Sequence, residues 1–143
     1  MRKEFRTEYI KHFKYMTPEE RIYLMSVKDN VMKQGIIFAT HAIERMGERW
    51  IKEKDVLRAI NNGQIMEYKK TKSDEILTIR GCTLNRKNEQ IYVILSVKNG
   101  KVITTYSNKY WIARNKSSEL DKYNNNRKIF IPNSFKRQLD LFH

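Results

Sequence analysis

Cysteine is nearly missing from this chain. Cys82 stands alone among 143 residues, so neither an intramolecular disulfide nor a cysteine-built metal site can form. The three histidines, His12, His41 and His143, are too scattered to give ligand-like spacing, and no metal or other cofactor is expected. No apolar run approaches the length of a membrane span or the core of a signal peptide, so a cytoplasmic protein with no membrane partner is expected. Acidic residues are the most telling shortage: 16 Asp and Glu face 29 Lys and Arg, leaving a formal charge of +13. Such an excess repels itself in a folded domain and points to a polyanionic partner, for which DNA or RNA is the default. A codon bias toward lysine and asparagine accounts for many lysines but not for so few acids.

What is present suffices for one domain with a real core, since 40% of residues are hydrophobic. Residues 2 to 16 interleave aromatics and bases. Phe5, Tyr9 and Phe13 recur every four residues, which predicts an inward helical stripe, although aromatics among cations also suit base stacking. Thr17-Pro18-Glu19-Glu20 signals a helix start with a capping box. Leu24, Val27 and Val31 form its apolar stripe, and Gly35 ends it. After the short apolar stretch Ile36 to Phe38, Thr40 is placed to cap a second helix that closes near Trp50-Ile51. A third helix, Glu53 to Asn61, would bury Val56, Leu57 and Ile60.

From Gln64 the texture changes to strands: Gln64 to Lys70, Glu75 to Arg80, Gln90 to Lys98 and Lys101 to Tyr106. The last two are expected to join through Asn99-Gly100 as a two-residue hairpin turn. The pattern predicts an α+β fold, with N-terminal helices packed on a four-stranded antiparallel meander and a basic C-terminal extension. Three segments follow: a helical extension (1–35), a core (36–111) and a basic arm (112–143). Within the arm, Lys109 just before it, Arg114, Lys116, Arg127 and Lys128 are candidate nucleic-acid contacts.

His41, Arg45 and Arg49 lie four residues apart and share one helix face. A histidine in the first helical turn suits a general base, with the arginines available to hold a phosphate. The plainer reading is a solvated polar face, with Glu44 and Glu48 beside it.

The stretches Thr40 to Ile51 (THAIERMGERWI) and Asp55 to Tyr68 (DVLRAINNGQIMEY), followed by Ile91 to Val97, Asn99 to Tyr106 and Trp111, resemble a small bacterial and phage domain, the domain of unknown function four-two-five-eight. The resemblance spans residues 38 to 111, and that family is similar to the barnase, EndoU, colicin and RelE group of metal-independent ribonucleases and toxins. It implies His41, Arg45, Arg49 and Tyr106 as the functional surface. Lys52 departs from the Ser or Thr that usually caps the next helix there. Hydrolysis of DNA usually recruits metal ions held by carboxylates, whereas RNA supplies its own 2′-hydroxyl nucleophile. A nuclease built on these residues is therefore expected to act on RNA: His41 as base, Arg45 and Arg49 stabilising the phosphorane, and Tyr106 donating or orienting.

The segment Gln138-Leu139-Asp140-Leu141-Phe142 resembles the short peptide by which bacterial polymerases and repair proteins bind the DNA sliding clamp. A flexible tail would lay Leu141 and Phe142 into an apolar pocket while Gln138 fixes the register. Phe135, Leu139 and Phe142 are also spaced as one face of a short helix packing on the core. Together the signals point to a nucleic-acid-binding effector, of phage or toxin type, docked on the clamp and acting at replication. The alternative is a ribonuclease whose tail is structural. Oligomeric state is open.

Overall fold

The first long helix follows from its opening residues. Thr17 Oγ1 accepts from the Glu20 amide at 3.1 Å, and Glu20 Oε1 accepts from the Thr17 amide at 2.8 Å, completing the capping box ahead of α1 (Pro18–Gln34). Leu24 and Val31 are buried along its inner face, and Val27 is half-buried. Lys28 is buried among them, donating through Nζ to the Asn61 carbonyl at 3.2 Å. That contact fixes α1 against the C-terminal end of α3 (Glu53–Asn62), where the helix dipole favours a cation. The computed structural model describes residues 7–84, 89–108 and 123–142. Among these, no helix is long and apolar enough to cross a membrane.

Six strands make one mixed sheet in the order β1-β3-β4-β5-β6-β2. Strands β3 (Gln64–Thr71), β4 (Glu75–Leu84), β5 (Gln90–Ser96) and β6 (Lys101–Asn108) form the expected antiparallel meander. The sheet is nevertheless wider than four strands. β1 (Thr7–His12) adds antiparallel to β3, and β2 (Ile37–Phe38) adds parallel to β6. The helix expected across residues 2 to 16 is therefore corrected. Tyr9 and Lys11 alternate inward in a strand, followed by a single 3-10 turn at Phe13–Tyr15; Phe5 lies outside the described residues. Pairing with a strand nearly sixty residues away outweighs a local spacing of four.

Cross-strand rows show how the two faces divide. Lys11, Tyr68, Leu77, Leu95 and Val102 are successive register partners, and the last four belong to the core. Ile65, Ile79 and Val93 join them, covered by Leu24 and Val31 of α1, Ala42 and Met46 of α2 (Thr40–Glu48), and Val56, Ala59 and Ile60 of α3. Leu57, expected in this core, is instead exposed, and Ala59 takes the inward position. The approach of α3 to β4 needs a glycine: a Cβ on Gly81 would stand 2.7 Å from that of Ala59.

The β5–β6 connection also differs from expectation. Ser96 pairs with Lys101, so residues 97–100 form a four-residue loop in which Gly100 has φ 62° while Asn99 does not enter the left-handed region. A two-residue type I′ turn requires both residues there.

Residues 123–131 run over the β1 side of the sheet. The Asn124 amide donates to the Ile10 carbonyl at 2.6 Å, and its Oδ1 accepts from the Ile10 amide at 3.0 Å. Farther along, the Ile129 amide donates to Glu20 Oε2 at 2.7 Å, and Ile129 and Ile131 are buried. The chain then enters α4 (Asn133–Phe142), where the Phe135 ring meets Tyr23 of α1 edge-on at 5.2 Å.

Candidate nucleic-acid interface

The placement of α2 begins with β2. The Ile37 amide donates to the Gly100 carbonyl at 2.8 Å and the Ala39 amide to the Val102 carbonyl at 3.0 Å, hooking the chain to β6 before the helix starts. Ala39, not Thr40, is the N-cap; Thr40 is already the first helical residue, and no side chain caps this end. Ala42 and Met46 face the core, which leaves His41, Ile43, Glu44, Gly47 and Glu48 in solvent and Arg45 half-buried between.

His41 and Arg45 meet. Arg45 Nε lies 3.5 Å from His41 Nε2, at the outer limit of a hydrogen bond, and Arg45 pairs with Glu48 at 3.1 Å. The guanidinium is thus shared between an imidazole acceptor and a carboxylate. An anion arriving here would compete with Glu48 for Arg45 while standing beside a proton acceptor.

The far end of α2 carries an unusual residue. Arg49 is the C-cap, its amide donating to the carbonyls of Arg45 (3.1 Å) and Met46 (3.3 Å). The Ile51 amide reaches back to the Met46 carbonyl at 3.0 Å, the long bond of a Schellman motif, and Ile51 and Met46 are both buried. Between them Trp50 adopts φ 58°, the one non-glycine residue at positive φ among those described, with 50% of its surface exposed. Beyond it Asp55 Oδ2 accepts from the Lys52 amide at 3.3 Å, half of a capping box, because lysine has no acceptor to return. Sequence reading placed the end of α2 at Trp50-Ile51 but not the backbone geometry, which depends on Met46 and Ile51 entering the core together.

Tyr106 belongs to a different neighbourhood. It is the register partner of Tyr92 on β5, and the two rings stack 4.9 Å apart at 4°. Ile91, Val93 and Leu95 face the helices, so Tyr92 and Tyr106 lie on the other face of the sheet. Arg80, Tyr92's partner on β4, extends this row and donates to Gln64 Oε1 at 2.9 Å. Beside it Glu67 accepts from Thr78 Oγ1 at 3.1 Å and from the Tyr123 hydroxyl at 2.5 Å, while the buried His12 ring meets Tyr123 edge-on at 5.0 Å. Sequence reading missed this cluster because four separate segments supply it. The expected quartet is therefore not one assembly: His41 and Arg45 touch on α2, Arg49 closes that helix, and Tyr106 joins the sheet row.

Arg127 and Lys128 are exposed, and the Arg127 guanidinium sits 4.6 Å over the Tyr9 ring. Burial raises the Tyr9 hydroxyl above its ordinary pKa, against a hydrogen bond from Tyr68 and the charge of Arg127. Lys109, Arg114 and Lys116 lie outside the described residues. In α4, Gln138 is exposed and Leu139 half-buried. The backbone of Asp140, Leu141 and Phe142 completes the helix, and their side chains lie outside the described residues. The segment expected as a flexible tail is thus helical here.

Among the described residues no three His, Cys, Asp or Glu side chains converge on a point. No curated protein and no solved structure matches the chain significantly. A family model does: residues 38–107, from the end of β2 through α2, α3 and strands β3 to β6, match the Domain of unknown function (DUF4258), and this stretch of the chain is a DUF4258 domain.

Proposed function

We propose that the protein is a nucleic-acid-binding effector that docks on the bacterial DNA sliding clamp through Gln138, Leu139, Asp140, Leu141 and Phe142. The observation that carries this reading is where α4 is anchored. Its ring contact with the body is made by Phe135 on Tyr23, and its first turn is held by the Phe135 and Lys136 amides on the Pro132 carbonyl. All of these contacts precede Gln138, which is exposed. Gln138 of the pentapeptide thus faces solvent, and unwinding a last helical turn costs little because such turns fray readily. Docking would hold the basic body beside DNA at high effective concentration. The test is binding of the intact protein to a purified sliding clamp, with Leu141→Ala/Phe142→Ala alongside. Micromolar or tighter binding lost in the variant supports docking, and absence of binding by the intact protein rejects it.

A second reading rests on the His41–Arg45 contact. An imidazole acceptor and a guanidinium side by side on a solvent-facing helix suit a metal-independent ribonuclease of the toxin type, with α4 serving only as structure.

A further inference from the structure

We propose that the end of the sheet formed by the β3–β4 turn and the β5–β6 loop is a contact for duplex DNA, with Lys72, Lys98 and Lys101 meeting the phosphate backbone. The inference rests on the nucleic-acid half of the proposed function and names a surface that would serve it. All three lysines are exposed. Lys72 and Lys98 line one shallow depression, Lys98 and Lys101 line a second, and Asp74 borders both. None of the three enters an ion pair among the described residues.

Asp74 stands among these lysines, but its carboxylate is turned to other partners. Oδ1 accepts from the Glu75 amide at 2.7 Å and the Lys98 amide at 2.9 Å, and Oδ2 accepts from the buried Ser96 hydroxyl at 2.5 Å. Glu75, the next acid along, is half-buried, and its carboxylate faces the buried Tyr68 hydroxyl. Neither acid holds a lysine that a phosphate would have to win from it. The same bonds tie the two connections together, since the Val97 amide also donates to the Glu75 carbonyl at 2.9 Å. Their backbones are held before any ligand arrives, so less freedom is lost on binding.

Two other described surfaces mix both signs. On α2, Glu44 and Glu48 stand in solvent beside His41, and Arg45 already pairs with Glu48. At the start of α1, Glu19 and Glu20 share a depression with Lys128 and Lys136. The cations at the sheet end are all lysines, point charges that suit phosphate, whereas base edges are read best by the forked guanidinium of arginine. Single-strand binders add aromatic rings on which bases stack, and neither connection contains one. A duplex keeps its bases stacked inside and turns its phosphates outward, so cations alone suffice to hold it.

The test follows binding of the full chain to a short fluorescein-labelled DNA duplex across a salt series. Lys72→Ala/Lys98→Ala/Lys101→Ala should unfold at the parent's urea midpoint, because all three side chains are exposed. It should bind at least ~10-fold more weakly at about 0.1 M salt. Its slope of log affinity against log salt should be shallower by about 2–3, since each phosphate contact contributes about 0.9. Lys52→Ala/Lys54→Ala/Arg58→Ala removes the same charge from exposed positions at α3 and should weaken binding by less than ~3-fold, which separates place from net charge. If the parent binds the duplex and the first triple variant loses no more affinity than the second, the surface is overturned while the nucleic-acid reading stands. A parent that binds the matching single strand more tightly than the duplex overturns the duplex assignment. If the parent binds neither, the surface and the nucleic-acid reading fall together.

Discussion

Lys11 on β1 and Glu20 in the first turn of α1 form a buried ion pair, Nζ to Oε1 at 2.8 Å, with each side chain only 4% exposed. Glu20 is more than half of a pair. Oε1 also receives the Thr17 amide and Oε2 the Ile129 amide, so one carboxylate joins β1, the start of α1 and the segment leading to α4. Burial alone would raise its pKa, yet the hydrogen bonds from Lys11, Ile129 and Thr17 hold it below the ordinary carboxylate value. The folded state thus binds the Glu20 proton less readily than the unfolded state. Its contribution to stability is complete above the unfolded pKa, about 4.3, and is lost as pH falls through the folded value.

Acid titration reads this directly. The urea midpoint of the parent should fall between about pH 5 and pH 3, and Glu20→Gln should flatten that dependence. At pH 7, Lys11→Met should cost about 3–5 kcal/mol because it leaves a buried carboxylate without its cation, and Lys11→Met/Glu20→Gln should cost less than that single change. A parent midpoint independent of pH in this range would show that Glu20 is not the coupling group.

Leu141→Ala/Phe142→Ala should leave the unfolding free energy within about 0.5 kcal/mol of the parent, whereas Phe135→Ala should lower it by about 1–3 kcal/mol through loss of the contact with Tyr23. Calorimetry of the two variants separates anchor from motif. A large loss in the double variant would make the pentapeptide part of the core.

His41→Ala and Arg45→Ala change exposed or half-buried groups and should leave the fold intact. If the protein cleaves RNA, His41→Ala should reduce the rate by about 10²-fold or more. Chelators should have no effect on a metal-independent reaction. Single-turnover cleavage of a labelled RNA, with and without EDTA, measures both; full activity in His41→Ala would remove the histidine from the chemistry.

Gly81→Val should destabilise by about 1–3 kcal/mol, since its first side-chain carbon already meets Ala59 at 2.7 Å. Chemical denaturation is sufficient to check it.

The parts legible in the sequence were those whose signals are local. The Thr17–Glu20 box, the stripe through Leu24 and Val31, α3 and the four meander strands follow from capping chemistry and periodicity. β1 escaped because Phe5, Tyr9 and Phe13 carry a helical spacing, and only the distant partner β3 reveals a strand. β2, two residues long, is too short to carry a pattern. The loop at 97–100 departs from the expected hairpin because Asn99-Gly100 is a strong turn signal whose register depends on where Ser96 meets Lys101. At the candidate site, helical spacing placed His41 beside Arg45. The same reasoning could not separate Tyr106 from them, since no spacing rule tells which face of β6 turns toward α2. Trp50 carries no sequence mark of its backbone angle.

The hold of Asn124 on Ile10 has a consequence for the company the protein keeps with itself. β1 is the outermost strand on its side, and an uncovered outer strand offers its amides and carbonyls to any passing chain as a template for growth. Asn124 occupies both groups of Ile10, in the middle of that strand, with one backbone amide and one side-chain oxygen. On the opposite border, β2 presents only two residues. The sheet is thereby fenced at both margins, which guards against strand-by-strand accretion of one molecule upon the next.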